Sequence, residues 1–154
     1  VNSKGEFNVP IGSYVNPSFP SSEDLLEVQS ALQSVTIHEA PFEECENWID
    51  GTSFVYFDPP YRPLSATSHF VSYSKGDFND EDQKRLATFF RTLDKTGAKL
   101  LLSNSDPKNT NPNDEFFDNL YSKFTIDRVS ANRAINSKGL KRGPINELLI
   151  RNYP

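Results

Sequence analysis

A short apolar segment that ends at two consecutive prolines sets the framework of this sequence. Residues 53–57 read Ser-Phe-Val-Tyr-Phe, a β-branched and aromatic run whose length is typical of a buried strand. The next four residues are Asp58-Pro59-Pro60-Tyr61, and two successive prolines cannot extend a β-ladder. We therefore predict a strand that stops at residue 57 and presents a polar loop at its carboxyl end.

Helix-like and strand-like segments alternate after this loop. Asn79 is a good helix N-cap, apolar residues recur at helical spacing over 86–93, and Gly97 closes the helix. The segments that follow are a strand at 99–104, a helix around 116–121, a strand near 124–129 and a strand at 147–151. This order predicts an α/β fold with a three-layer sheet whose last two strands pair antiparallel.

The N-terminal part has a different character. Residues 1–20 are rich in turn-forming residues and predict half of a hairpin. Ser21 and Ser22 precede two acidic residues, so a helix is predicted from there to about residue 33. A short strand is expected at Val35–Ile37.

Composition excludes several classes of protein. The 154 residues suffice for one domain, and no run approaches the roughly 18 apolar residues of a membrane span. Cys45 is the single cysteine, and His38 and His69 have no neighbouring ligand set, so we expect neither a disulfide nor a metal site. The net charge of -5 argues against nonspecific coating of nucleic acid, although residues 128–151 carry six basic residues against one acidic residue.

The tetrapeptide suits the activation of an aromatic amine. Such an amine is a poor nucleophile because its lone pair is delocalised into the ring. The carboxylate of Asp58 and the carbonyl of Pro59 can accept its two N–H groups and expose the lone pair, while the prolines fix the carbonyl direction. Tyr61 can stack on the ring. In open α/β sheets ligands bind at the carboxyl ends of strands, where this tetrapeptide is predicted to lie.

Several motifs together resemble one family. They are Lys4–Gly12, the run Asp58-Pro59-Pro60-Tyr61 continued by Pro63–Thr67, Leu102–Asp106, Arg133–Asn136 and Asn146–Leu149. In this combination, which spans nearly the whole chain, the sequence resembles the Dam-type (D12 class) DNA adenine-N6 methyltransferases. The resemblance implies a Rossmann-like methyltransferase sheet, S-adenosylmethionine as cofactor, double-stranded DNA as partner and GATC as the target.

The resemblance also implies roles for individual residues. Asp58, Pro59, Pro60 and Tyr61 would be the catalytic set that holds and stacks on a flipped adenine, and Asp58 would also lie near the methionine part of the cofactor. The implied DNA contacts are Asn2, Asn8, Pro10 and Tyr14 in the hairpin, and Lys138, Lys141 and Arg142 near the C-terminus. Residues 1–20 would be the C-terminal part of the target-recognition hairpin, and 21–154 part of the catalytic domain.

The sequence departs from the family pattern in one large respect. It contains no Phe-x-Gly-x-Gly segment, which is the family's cofactor motif. We therefore expect a partial sheet that lacks the first two strands, in a truncated chain that is inactive by itself. The expected protein is a monomer of the bacterial cytoplasm, associated with the nucleoid through its substrate.

This departure predicts weak cofactor binding. Without a glycine-rich segment to approach the cofactor closely, residues 1–154 are expected to bind S-adenosylmethionine weakly or not at all. Isothermal titration calorimetry measures the affinity, and a dissociation constant on the order of micromolar would contradict the expectation.

Two alternatives remain open from the sequence. One is an amino-methyltransferase that acts on RNA or on a protein amide, because a related tetrapeptide can serve any planar amine. The hairpin at Lys4–Tyr14 speaks against it. The other is a noncatalytic DNA-binding remnant, which the retention of the whole tetrapeptide and its loop disfavours.

Overall fold

The computed structural model of the chain describes residues 19–64, 78–132 and 144–154. The chain divides into two compact units, Val1–Ala40 and Pro41–Pro154. The predicted boundary between a recognition hairpin at 1–20 and a catalytic domain at 21–154 concerns function, and it stays a prediction.

The first unit contains helix α1, Ser22–Leu32. Its start is set by Ser21, whose Oγ accepts a hydrogen bond from the Asp24 N–H at 3.1 Å, while the Asp24 carboxylate accepts from the Ser21 N–H at 2.7 Å. This reciprocal capping box confirms the predicted N-cap. The strand predicted at Val35–Ile37 is wrong, because no described strand pairs with these residues and an extended segment needs a partner to form a ladder.

The second unit is built on a four-stranded sheet in the order β1-β2-β4-β3. The strands are β1 Phe54–Phe57, β2 Lys99–Ser105, β3 Thr125–Asn132 and β4 Pro144–Arg151. Strand β1 runs parallel to β2, whereas β4 is antiparallel to both β2 and β3. The predicted strands and the antiparallel pairing of the last two are confirmed, although β4 begins earlier than its sequence pattern indicates.

Helices precede and connect the strands of the second unit. A 3-10 helix spans Phe42–Trp48, and α2 and α3 span Asp80–Asp94 and Phe116–Leu120. The Oδ1 atom of Asn79 caps α2 by accepting from two N–H groups of its first turn. Gly97 follows α2 with a φ of 86°, a left-handed conformation that glycine adopts without the steric cost of a Cβ atom. Both sequence signals for this helix are therefore confirmed.

One face of the sheet carries the core. Because side chains alternate along a strand, Phe57, Leu102 and Ile150 point to the same face, where α2 and α3 pack. The opposite face carries Phe54 and Tyr56, which are each more than half exposed. The described part of this unit therefore has two layers, and the third layer stays a prediction.

A buried hydroxyl group interrupts this core. Tyr121 is fully buried, and its ring packs against those of Phe90 and Phe124. No described residue forms a hydrogen bond with its hydroxyl. Burial raises the pKa of Tyr121, so the group is neutral.

Removing this hydroxyl should stabilise the protein. Tyr121→Phe keeps the ring contacts and deletes an unpartnered polar atom, so we expect the free energy of unfolding to rise by about 1 kcal/mol. Urea denaturation followed by circular dichroism measures the change, with Tyr153→Phe as the control. A loss of stability in Tyr121→Phe would show that the hydroxyl has a partner in solution.

Candidate active site

The tetrapeptide lies where the sequence places it, directly after β1. Because β1 and β2 are parallel, their carboxyl ends meet at the same edge of the sheet, and Asp58 comes next to Ser103. Asp58 is exposed, whereas Tyr61 is partly buried. The Pro59 carbonyl accepts no hydrogen bond from any described residue. Both predicted acceptors for an amine are thus present at one edge of the sheet.

A hydroxyl group of β2 contacts the Asp58 carboxylate. Ser103 Oγ lies 3.1 Å from Asp58 Oδ1 and 2.9 Å from the hydroxyl of Tyr56. Ser103 is almost fully buried, and its backbone belongs to the ladder between β2 and β4. One oxygen of the Asp58 carboxylate is therefore held against the sheet.

Two buried amides hold the other end of the tetrapeptide from the opposite face of the sheet. Gln83 of α2 donates from Nε2 to the Pro60 carbonyl at 3.0 Å. Its Oε1 accepts from Nδ2 of Asn104 at 3.2 Å, and Asn104 Oδ1 accepts from the Arg62 N–H at 3.0 Å. Since Gln83 and Asn104 are both buried, these bonds satisfy polar groups that burial would otherwise penalise. The loop path from Pro60 to Arg62 is fixed by them.

Arg62 anchors the chain immediately after Tyr61. Its guanidinium binds Asp80 through two hydrogen bonds of 2.8 and 3.0 Å and Asp114 through one of 2.9 Å. It also lies over the Phe116 ring, 4.3 Å from the centroid. The hydrogen bonds to Asp80 raise the pKa of Arg62 against the opposing effect of burial, with Asp114 adding to the shift, so the side chain stays charged. The first turn of α2 and the start of α3 are thereby tied to the tetrapeptide.

Tyr61 is a neutral aromatic ring at physiological pH. Burial raises its pKa, and the negative charges of Glu147 and Asp58 raise it further, while a hydrogen bond with Ser103 acts in the opposite direction. A neutral phenol keeps an uncharged π-face, which suits stacking on a heterocyclic base.

An apolar cleft of about 350 Å³ opens beside Asp58. It is lined by Phe42, Cys45, Val55, Tyr56, Phe57, Asp58, Pro59, Pro60, Phe78 and Leu86. One carboxylate in an otherwise apolar and aromatic lining suits a ligand that combines an apolar or heterocyclic part with positive charge.

Acid is expected to weaken the anchor at Asp114. Burial disfavours the ionised carboxyl, but hydrogen bonds from the Phe116 N–H and Arg62 outweigh it, so the pKa of Asp114 lies below its ordinary value. A carboxyl with a lower pKa in the folded state adds stability above its unfolded pKa of about 4. That contribution to stability disappears as the pH falls through the pKa that Asp114 has in the folded state.

We therefore expect the free energy of unfolding to decrease between about pH 5 and pH 2, and Asp114→Asn to make that decrease shallower. Denaturant titrations at several pH values test this, with Glu44→Gln as the control at an exposed site. An unchanged slope in Asp114→Asn would contradict the role assigned to this carboxylate.

The predicted DNA contacts lie outside the described residues. They are Asn2, Asn8, Pro10, Tyr14, Lys138, Lys141 and Arg142.

Within residues 19–64, 78–132 and 144–154, no group of three or more His, Cys, Asp or Glu side chains could hold a metal ion. Across those same ranges, no helix has the length and apolar character that crossing a membrane requires.

Sequence reasoning missed the residues that support the tetrapeptide. Arg62 and Gln83 received no role, and Ser103 and Asn104 were predicted only as the end of a strand and as part of a motif that resembles the family. A signal was present, because a strand of leucines continues into the polar run Ser103–Asp106, all of which is buried. Buried polar groups need partners, so such a run predicts a hydrogen-bonded network. The position of Gln83 could not be read this way, since helical spacing alone does not identify its partner.

Comparison with known proteins gives consistent results. A family model described as D12 class N6 adenine-specific DNA methyltransferase matches residues 1–135. The chain is 54% identical over 154 residues to the Type II methyltransferase M.MjaIII of Methanocaldococcus jannaschii, a match that covers 99% of this chain and 51% of that protein.

Two further relatives are named DNA adenine methylase. The protein of Vibrio cholerae serotype O1 is 38% identical over 149 residues, covering 96% of this chain and 51% of its own length. The protein of Escherichia coli strain K12 is 34% identical over 153 residues, covering 99% of this chain and 52% of its own length. The chain thus spans about half the length of the curated relatives it matches.

Proposed function

Because the chain belongs to the D12 class of N6-adenine-specific DNA methyltransferases, we propose that it serves the transfer of a methyl group from S-adenosylmethionine to adenine N6 in double-stranded DNA. One observation carries the proposal. The carboxylate of Asp58 and the carbonyl of Pro59 follow one another at the carboxyl end of β1. Asp58 is exposed, and the Pro59 carbonyl accepts no hydrogen bond from any described residue.

The chemistry assigned to these residues is the activation of an amine. The two N–H groups of adenine N6 donate to the Asp58 carboxylate and the Pro59 carbonyl, which favours a tetrahedral nitrogen with an exposed lone pair. After transfer the nitrogen must lose one proton, and the Asp58 carboxylate is the hydrogen-bonded group placed to receive it. Tyr61 stacks on the base, which has to leave the duplex because its N6 is otherwise unreachable.

The cleft beside Asp58 has the chemistry of one part of a site for the cofactor that the family uses, and the glycine-rich motif of such a site is absent from residues 1–154. S-adenosylmethionine has a heterocyclic base and a positively charged methionine part, and the lining combines aromatic residues such as Phe42 with the carboxylate of Asp58. When bound, the cofactor supplies an electrophilic methyl group on a sulfonium. The apolar lining would exclude water from that group, and the Asp58 carboxylate would attract its positive charge.

The DNA side of the proposal rests on residues outside the described ranges. We assign base and phosphate contacts in the major groove to Asn2, Asn8, Pro10 and Tyr14, because asparagine suits the N6/N7 edge of adenine. Lys138, Lys141 and Arg142 are assigned to the phosphate backbone. GATC is the proposed site, and the protein is proposed to act as a monomer on chromosomal DNA in the cytoplasm.

The test is a methylation assay with the complete product of the gene that encodes this chain. Radiolabelled S-adenosylmethionine and a GATC duplex are expected to yield N6-methyladenine on nucleoside analysis. A matched duplex in which the target adenine is replaced by purine, which lacks the amino group, should receive no label. Label on RNA or on a protein amide would favour the alternative amino-methyltransferase, and DNA binding without transfer would favour a noncatalytic protein.

A further inference from the structure

A line of three side-chain oxygens runs along the sheet edge to the tetrapeptide. The Tyr56 hydroxyl lies 2.9 Å from Ser103 Oγ, and Ser103 Oγ lies 3.1 Å from Asp58 Oδ1. Tyr56 and Ser103 belong to the paired strands β1 and β2, whereas Asp58 lies beyond the end of the ladder. The two hydroxyl groups are therefore held by the sheet, and the carboxylate is the part that needs to be positioned.

The direction of donation follows from the chemistry of the three groups. An ionised carboxylate only accepts hydrogen bonds, so the bond between Ser103 and Asp58 uses the single hydroxyl proton of Ser103. The Phe57 carbonyl also lies within reach of that proton, but it is neutral and farther from Ser103 Oγ, at 3.5 Å against 3.1 Å for Asp58 Oδ1. Ser103 Oγ must then accept from Tyr56, whose phenol donates. The relay has one polarity, from Tyr56 to Ser103 to Asp58 Oδ1. No described residue donates a hydrogen bond to Oδ2 of Asp58, so this oxygen is available to another donor.

We infer that Tyr56 and Ser103 are positioning residues for the Asp58 carboxylate. Ser103 is 3% exposed, so water does not compete for its hydroxyl, and a charge-assisted hydrogen bond there is stronger than one in solvent. The expected changes in kcat rest on the proposed function. The expected change in the conformation of the Asp58 side chain rests on geometry alone.

The kinetic consequence concerns turnover more than binding. Ser103→Ala in the complete gene product is expected to lower kcat about tenfold or more, because a misdirected carboxylate no longer activates the amine. The KM values for DNA and for S-adenosylmethionine should change little. Ser103→Thr keeps the hydroxyl and should restore most of the rate. Ser130→Ala, at an exposed serine of β3, is the matched control.

A double-mutant cycle separates a relay from two independent contacts. Tyr56→Phe alone should lower kcat by about threefold, because it leaves Ser103 without its donor. In the Ser103→Ala background, Tyr56→Phe should have no further effect, since its influence passes through the missing hydroxyl. Tyr153→Phe is the control for loss of a tyrosine hydroxyl elsewhere, beyond the end of β4. Equal effects of Tyr56→Phe in both backgrounds would overturn the relay.

A structural measurement on residues 1–154 is independent of activity. Three-bond couplings between Hα and Hβ of Asp58, measured by NMR, should indicate one χ1 rotamer in the wild type and averaged rotamers in Ser103→Ala. Identical couplings in both would overturn the inference. If the wild-type complete gene product has no methyltransferase activity while Ser103→Ala still changes these couplings, the proposed function fails and the positioning role stands.

Discussion

Replacing Asp58 with asparagine is expected to lower kcat for adenine methylation on the order of 10²–10³-fold, while the fold stays intact. Asparagine has nearly the same shape, but its carboxamide is neutral and its nitrogen donates hydrogen bonds. It can therefore neither attract a developing positive charge on the amine nor receive the proton that the amine loses. Asp58 is exposed, so the substitution removes no core packing.

The experiment compares single-turnover rates of the wild-type and Asp58→Asn proteins, each as the complete gene product, on the same GATC duplex. Glu27→Gln, which removes one carboxylate from an exposed position of α1, is the control for charge alone. Circular dichroism checks that both variants are folded. A rate for Asp58→Asn within threefold of the wild type would remove this carboxylate from the mechanism.

Replacing Phe90 with alanine is expected to lower the free energy of unfolding by about 3–5 kcal/mol. Phe90 is fully buried in α2, and its ring centroid lies 5.6 Å from that of Phe57, 5.4 Å from that of Tyr121 and 4.9 Å from that of Phe124. Truncation removes contacts with β1, with the end of α3 and with the segment before β3. The surrounding rings are large and cannot collapse fully into the cavity, which adds to the lost burial energy.

Phe54→Ala is the matched control, because Phe54 lies in β1 on the opposite face of the sheet and is 59% exposed. The same chemical change there should cost less than about 1 kcal/mol. Urea denaturation of both variants gives the comparison. Equal losses in Phe54→Ala and Phe90→Ala would contradict the assignment of the core to a single face of the sheet.

Local signals in the sequence predicted most of the fold of the second unit. The N-cap at Asn79, the end of α2 before Gly97 and the strand that stops at Phe57 depend on neighbouring residues and on fixed backbone preferences. The strand expected at Val35–Ile37 failed for a physical reason, because a ladder needs a partner strand and local composition cannot supply one.

The candidate site also has a part that the sequence predicted and a part that only the structure shows. Asp58, Pro59 and Tyr61 were identified from chemistry carried by four consecutive residues. Their support comes from elsewhere in the chain, since Gln83 lies in a helix and Ser103 in a parallel strand. Contacts between residues so far apart in sequence depend on register and helix packing, which no local pattern encodes.

The sequence by itself determined where β1 ends and which groups follow it, because proline geometry and the order of side chains are properties of the covalent chain. Only the tertiary structure decided that Ser103 would hold Asp58 from one face of the sheet, while Gln83, itself bound by Asn104, holds Pro60 from the other. The parallel pairing of β1 with β2 brings these groups together, and the alternation of side chains along β2 sends neighbouring residues to opposite faces.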